Sequence, residues 1–247
     1  MRIIISPAKK MKEDVDGLAW RDLPGFLGKT EEICKTLQGM SYDQLKRLWK
    51  CNDKIAALNY ERLQSMDLRR NLTPAILAYE GIQYQYMAPS VFTDDEFDYA
   101  CRHLRILSGF YGVLRPFDGV VPYRLEMQTR LSIGGAKDLY AFWGDSLTTD
   151  LCRDTEYIIN LASKEYSAAV SAHLPLHIRL ITCVFGEAQG SRVIEKGTMC
   201  KMARGEMVRY MAENQIETPE DIKEFDRLNY RFAEGRSDDR CYVFIRE

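Results

Sequence analysis

The chain has 247 residues, a formal net charge of −2 and a sequence pI near 6.0, with 46% hydrophobic and 28% charged residues. This composition excludes wholesale disorder, and a dedicated nucleic-acid module would be basic overall, so any DNA or RNA contact must rest on a local patch. Seven scattered cysteines with no Cys-x-x-Cys pair, and an N-terminus whose only apolar run is Ile3–Ile5, predict reduced thiols and a soluble, cytoplasmic protein without a membrane span.

Residues 2–6 (RIIIS) predict a buried strand, because a β-branched run this short, closed by Pro7, suits a strand better than a helix. The run opens into Ser6-Pro7-Ala8-Lys9-Lys10, which reads either as the ligand-facing edge of an α/β sheet or as a capped turn with two solvated lysines. Residues 12–29, with Gly17, Pro24, Gly25 and Gly28, read as a loop or a short helix between loops. From Lys29 a helix carries Ile33, Cys34 and Leu37 on one face up to Gly39. Ser41 with Gln44 forms a capping box for a second helix. A third, about Asp53 to Met66, is expected to face inward through Ile55, Leu58 and Leu63. Thr73-Pro74 predicts a helix start with threonine as the cap, leading into the tyrosine-rich segment that ends at Met87. Thr93 and Glu96 cap a further helix that delivers the chain to Leu104.

Leu104 to Met127 (LRILSGFYGVLRPFDGVVPYRLEM) is the most densely specified stretch. A short apolar run meets Gly109, Gly112, Pro116, Gly119 and Pro122, residues that fix or free the backbone. Ser108, Tyr111, Arg115, Asp118, Tyr123, Arg124 and Glu126 are set along it. Polar groups on such a path suit a binding site as well as an ordinary surface loop. The helix from Thr93 followed by Gly109-Phe110-Tyr111-Gly112 also suggests a helix-hairpin-helix, whose glycine amides (around Ser108, Gly109 and Gly112) would approach a phosphate.

Asp138 to Cys152 predicts one helix with Gly144 inside it, where close packing or a ligand would need the missing side chain. Glu156–Leu161 reads as a strand opening at Ser163-Lys164 into a short helix. Residues 177–185 and 186–196 read as a hairpin, and 198–211 as a helix bearing Lys201, Arg204 and Arg209. Thr218-Pro219 opens an acidic stretch, and Asn229–Phe232 and Cys241–Ile245 read as closing strands. No repeat or long linker interrupts the chain, which implies one mixed α/β domain over residues 1–247.

Metal ligation finds no support, since Pro175 separates His173 from His177 and no zinc or iron ligand set is legible. Phosphate-loop, dinucleotide and nucleophile-elbow motifs are missing, and no cofactor is implied. Local charge is more informative. Between Arg102 and Lys137 six basic residues face two acidic ones, and between Lys196 and Arg209 four face one, while Glu213–Asp226 holds six acidic residues and one lysine. Segregation of this kind can make a basic cleft on a near-neutral protein.

Taken together, Ile5-Ser6-Pro7-Ala8-Lys9, Ala75–Tyr79 with Gly81 and Tyr84, Arg105–Gly109 with Tyr111–Pro116, Pro122–Met127, Lys137–Tyr140 with Phe142–Asp145, Ile159–Ser163 with Glu165-Tyr166, and Ala203-Arg204-Gly205 resemble the YaaA family of bacterial peroxide-resistance proteins. The match runs along nearly the whole chain, with departures at Lys10, Ile82 and Met202. The resemblance implies a compact α/β fold with a mixed sheet, a positively charged cleft and a helix-hairpin-helix-like element. It also implies non-sequence-specific binding of double-stranded DNA, DNA protection during peroxide stress and limitation of free iron; the sequence does not give the oligomeric state, and a monomer is the expectation. The phosphate contacts would come from Lys9, Arg115, Tyr123, Arg124, Lys137, Lys201 and Arg204. The alternative is an enzyme acting on a small phosphorylated or nucleotide-like substrate, with Ser6, Lys9, Glu126 and Ser163 as candidate catalytic groups. A closed pocket of small-molecule size would favour the enzyme, and an open groove would favour DNA.

Overall fold

The computed structural model describes residues 1–247. Its strands are β1 (Arg2–Ile5), β2 (Lys10–Met11), β3 (Thr73–Pro74), β4 (Tyr79–Glu80), β5 (Leu104–Ser108), β6 (Gly112–Leu114), β7 (Gly119–Val120), β8 (Tyr157–Leu161), β9 (Arg179–Gln189), β10 (Arg192–Ile194), β11 (Tyr230–Phe232) and β12 (Cys241–Arg246). The helices are α1 (Leu27–Gln38), α2 (Tyr42–Trp49), α3 (Asp53–Gln64), α4 (Ala75–Ala78), α5 (Ile82–Met87), α6 (Asp94–His103), α7 (Leu139–Trp143), α8 (Ser146–Leu151), α9 (Lys164–Ser171) and α10 (Gly197–Glu213). None is long and apolar enough to cross a membrane.

The main sheet is mixed, in the order β11-β12-β9-β8-β1-β5-β6, with β10 paired to β9. Ile3, Ile4 and Ile5 are fully buried because β1 is the inner strand between two parallel neighbours, which requires apolar side chains on both faces. From β1 the chain goes first to β5 on one side of it and later to β8 on the other. The order therefore reverses at β1/β8, and in open α/β sheets the crevice beyond the carboxyl ends of such a pair is where ligands bind. Helices α6 and α10 pack on each other and on the strands, α10 against β9 and α6 against β1 and β5. A single hydrophobic cluster of 62 buried residues fills the interior.

Local chemistry accounts for most boundaries. Both predicted capping boxes form, at Ser41/Gln44 and Thr93/Glu96. Three expectations are corrected. Thr73 does not cap a helix: it pairs with Val120 in a short β-bridge, and its hydroxyl accepts from the Asp14 amide. Helix α3 turns Ala56, Asn59 and Leu63 inward, leaving Ile55 and Leu58 37% and 48% exposed. The span 138–152 holds two helices, because Gly144 takes a φ of +52° and ends α7.

The predicted helix-hairpin-helix does not form either. Residues 104–114 make a β-hairpin, β5 turning into β6, with Ser108 opposite Gly112. Its tip is buried, and the Phe110 and Tyr111 amides donate to Ser108 Oγ at 3.1 and 2.9 Å. Those amides are satisfied internally and offer nothing to a phosphate. A Cβ at Gly112, where φ is +79°, would stand 2.8 Å from the Trp143 ring, so this glycine serves packing.

Candidate functional site

Pro7 ends β1 and releases Ser6 at the carboxyl edge of the sheet, beside the end of β8. There Ser6 Oγ donates to Ser163 Oγ at 3.2 Å and accepts from the Ser163 amide at 2.8 Å, while Tyr84 Oη donates to the Ser6 carbonyl at 3.0 Å. Pairing of β2 with β4 holds the loop from Ser6 to Met11 against the segment that starts α5. Gly81 permits this closeness, since a Cβ there would lie 3.0 Å from that of Ala8.

These segments enclose a pocket of about 420 Å³. One side comes from the Tyr123–Glu126 segment. Tyr123 Oη is 2.6 Å from Ser108 Oγ and 2.9 Å from Tyr79 Oη, a buried hydroxyl chain, and burial pushes the Tyr123 phenol up to about 12. Glu126 Oε1 lies 3.0 Å from Arg124 Nη2 and 3.2 Å from Lys9 Nζ. The Arg124 and Glu126 side chains are only 12% and 14% exposed, whereas Lys9 is 68% exposed. Neither cation meets Oε1 along a hydrogen-bond line, and Oε1 and Arg124 Nε are both shielded from water without a hydrogen-bond partner. The trio is held by charge rather than by directed bonds.

Glu165, in the first turn of α9, accepts from the Gln128 amide at 3.2 Å. Burial raises its carboxyl above the usual glutamate range, and the nearby Glu126 charge adds to the effect. From the other side α10 brings Lys201 and Arg204, one turn apart, to the pocket. Arg204 Nη2 is 3.5 Å from Glu195 Oε2. Their approach depends on Gly205: a Cβ there would stand 2.2 Å from the Gln83 carbonyl oxygen of α5.

A second, more open groove of about 670 Å³ shares Lys9 and Glu126 with the pocket and continues past Arg47, Lys50 and Arg130. All three are exposed. Arg47 and Lys50 escape notice in sequence because α2 reads as a packing helix. The available signal was a pair of cations at its carboxyl end, flanking Leu48 and Trp49.

Of the predicted phosphate contacts, Lys9, Tyr123, Arg124, Lys201 and Arg204 converge on the pocket, together with Ser6, Ser163 and Glu126. Arg115 and Lys137 do not. Strand β6 runs antiparallel to β5, which carries Arg115 away from the Ser6 edge to a separate cavity with Asp22, Asp118 and Asp150. Lys137 is exposed beyond the tight turn at Gly134-Gly135, outside both the pocket and the groove. Ser108, Gly109 and Gly112 lie beneath the site as packing and hydrogen-bond support.

A family model described as "Peroxide stress protein YaaA" matches residues 1–236. A UPF0246 protein of Agathobacter rectalis is 55% identical over 247 residues, covering 100% of this chain and 99% of its own. A UPF0246 protein of Desulfitobacterium hafniense is 54% identical, with 100% and 98% covered, and one of Lachnoclostridium phytofermentans 52% identical, with 100% and 96% covered.

Proposed function

The chain belongs to the YaaA family of peroxide stress proteins, and on that premise we propose that it acts in the peroxide stress response by holding double-stranded DNA through its phosphates, without reading sequence. The observation that carries this reading is that pocket and groove lie side by side, sharing Lys9 and Glu126 in their walls. The combined trough is lined by eight basic residues (Lys9, Lys10, Arg47, Lys50, Arg124, Arg130, Lys201 and Arg204) against three acidic ones (Glu80, Glu126 and Glu165). On a chain of net charge −2 this is a local concentration of positive charge of the kind that phosphate backbones require. DNA held there is protected during peroxide exposure, and free iron is limited indirectly. No group of three or more His, Cys, Asp or Glu side chains is placed to hold a metal ion.

The test is duplex affinity across salt concentrations. Each engaged phosphate contributes a slope of about −0.9 in log K against log salt. Arg124→Ala combined with Lys201→Ala is expected to weaken binding and flatten the slope by about 1.8. Affinity indifferent to salt, or to that double substitution, refutes the reading.

A second reading, an enzyme acting on a small phosphorylated or nucleotide-like substrate, is favoured by one observation: Ser6, Ser163, Lys9, Glu126 and Glu165 meet in a small pocket at the strand-order reversal. It requires turnover of such a compound by the wild type that is lost in Lys9→Ala with Glu126→Gln.

A further inference from the structure

The two halves of the trough differ in chemistry. The groove is lined mainly by polar and charged side chains, whereas the pocket wall sets a patch of aromatic and aliphatic side chains among its charged ones. Tyr84, Tyr123, Tyr166 and Leu125 are buried in that wall and Ile82 is half-buried, while the cations Lys9 and Lys201 are exposed. At about 420 Å³ the pocket has the size of a small-ligand site. It cannot admit a duplex, whose major groove alone is about 12 Å wide.

Phosphates are matched by the cations that line the pocket, but one seated against the aromatic patch of the wall itself would lose its hydration for little return. A nucleobase fits the same wall, because every base has a face that packs on aromatic and apolar side chains. Glu126 then gains a purpose. A carboxylate repels a phosphate but accepts hydrogen bonds from the amino and imino N–H groups of a base edge.

Resting on the DNA-binding reading, we propose that the pocket receives a single nucleotide taken out of the helical stack, base inward and flanking phosphates on Lys201 and Arg204. Extrusion from an intact pair is unfavourable and is least so for a base already unpaired. The preferred ligand is therefore DNA that carries an unpaired nucleotide, not uniform duplex.

The experiment compares three labelled duplexes of equal length: fully paired, with one bulged nucleotide, and with the same bulge made abasic. The bulge is expected to bind roughly tenfold more tightly than the paired duplex, and the abasic bulge to return to the paired value. Equal affinity for all three, or for both bulges, overturns the pocket assignment while leaving DNA binding intact. Failure to bind any of them overturns both. Ile82→Trp, which fills the half-buried wall, is expected to bring the ratio of bulged to paired affinity close to one, and an unchanged ratio counts against the proposal. In a final arm, calorimetry with free deoxynucleoside monophosphates is expected to show no more than weak binding. Tight binding there, without preference among the duplexes, assigns the pocket to a free nucleotide instead.

Discussion

Glu126 is the residue on which the character of the site turns. It holds Lys9 and Arg124 within about 3 Å while making no aligned hydrogen bond, so it neutralises part of the charge that would otherwise meet a phosphate. Glu126→Gln is expected to free Lys9, the exposed member of the trio, to engage DNA. Measured by titration at several salt concentrations, duplex binding should tighten and the slope steepen by about 0.9, one further phosphate.

At the opposite end of β5, Asp118 is 3% exposed and its carboxylate accepts from the Arg115 amide at 2.9 Å. Burial pushes its carboxyl up to about 6, against the smaller opposing pull of that hydrogen bond and the Arg115 charge. Between about pH 4 and pH 6 the folded protein keeps a proton that the unfolded chain has released, so this group's contribution to stability falls as pH rises through that range, by up to about 2–3 kcal/mol. Asp118→Asn is expected to flatten that dependence, as seen in thermal melts recorded from pH 4 to pH 7.

Among the elements, α5 and α10 determine whether the pocket exists. Their backbones touch at Gly205, so Gly205→Ala must push them apart. Overpacking of this kind destabilises by about 1–3 kcal/mol, and a contact with rigid backbone belongs at the upper end. The expected result is a lower denaturation midpoint together with weaker DNA binding, because Lys201 and Arg204 ride on the displaced helix.

Elements with a strong local signal were legible in the sequence. Ile3–Ile5 read as a buried strand, and the Ser41/Gln44 and Thr93/Glu96 boxes set helix starts without help from the rest of the chain. Gly144 was ambiguous, because a glycine in an apolar pattern can ease packing or end a helix, and only its backbone angle decides. The buried face of α3 was misread because Ile55 and Leu58 repeat with helical spacing, yet it is Ala56 and Asn59 that the neighbouring helices cover. Within the site, residues next to strand ends (Ser6, Lys9, Ser163) were readable, since a sheet's carboxyl edge gathers them. Arg115 was not, because its place depends on β6 reversing direction after Gly112. The sequence carries the glycine but not the direction of the strand that follows.

For the whole molecule, the state of its thiols bears on how it meets peroxide. Burial raises all seven cysteines above their ordinary value, Cys183 to about 12 and Cys200 to about 11. Since the thiolate is the reactive form, the folded protein is expected to lose its free thiols to hydrogen peroxide more slowly than cysteine in solution. Thiol titration after timed exposure checks this, and unfolding in denaturant should abolish the protection.

The position of β1 has one more consequence, for the protein's synthesis. Ile3 is among the first residues made, yet its partners are Leu104 on one side and Ile159 on the other. At roughly 5–20 residues per second, the second partner is not made until on the order of ten to thirty seconds later. For that interval three adjacent isoleucines have no finished sheet to enter, and the growing chain depends on chaperone holding or on speed of translation to avoid aggregation. The first strand of the chain is thus secured on both sides only after β8 has been made, and β8 and β9 in turn wait for β9 and β12.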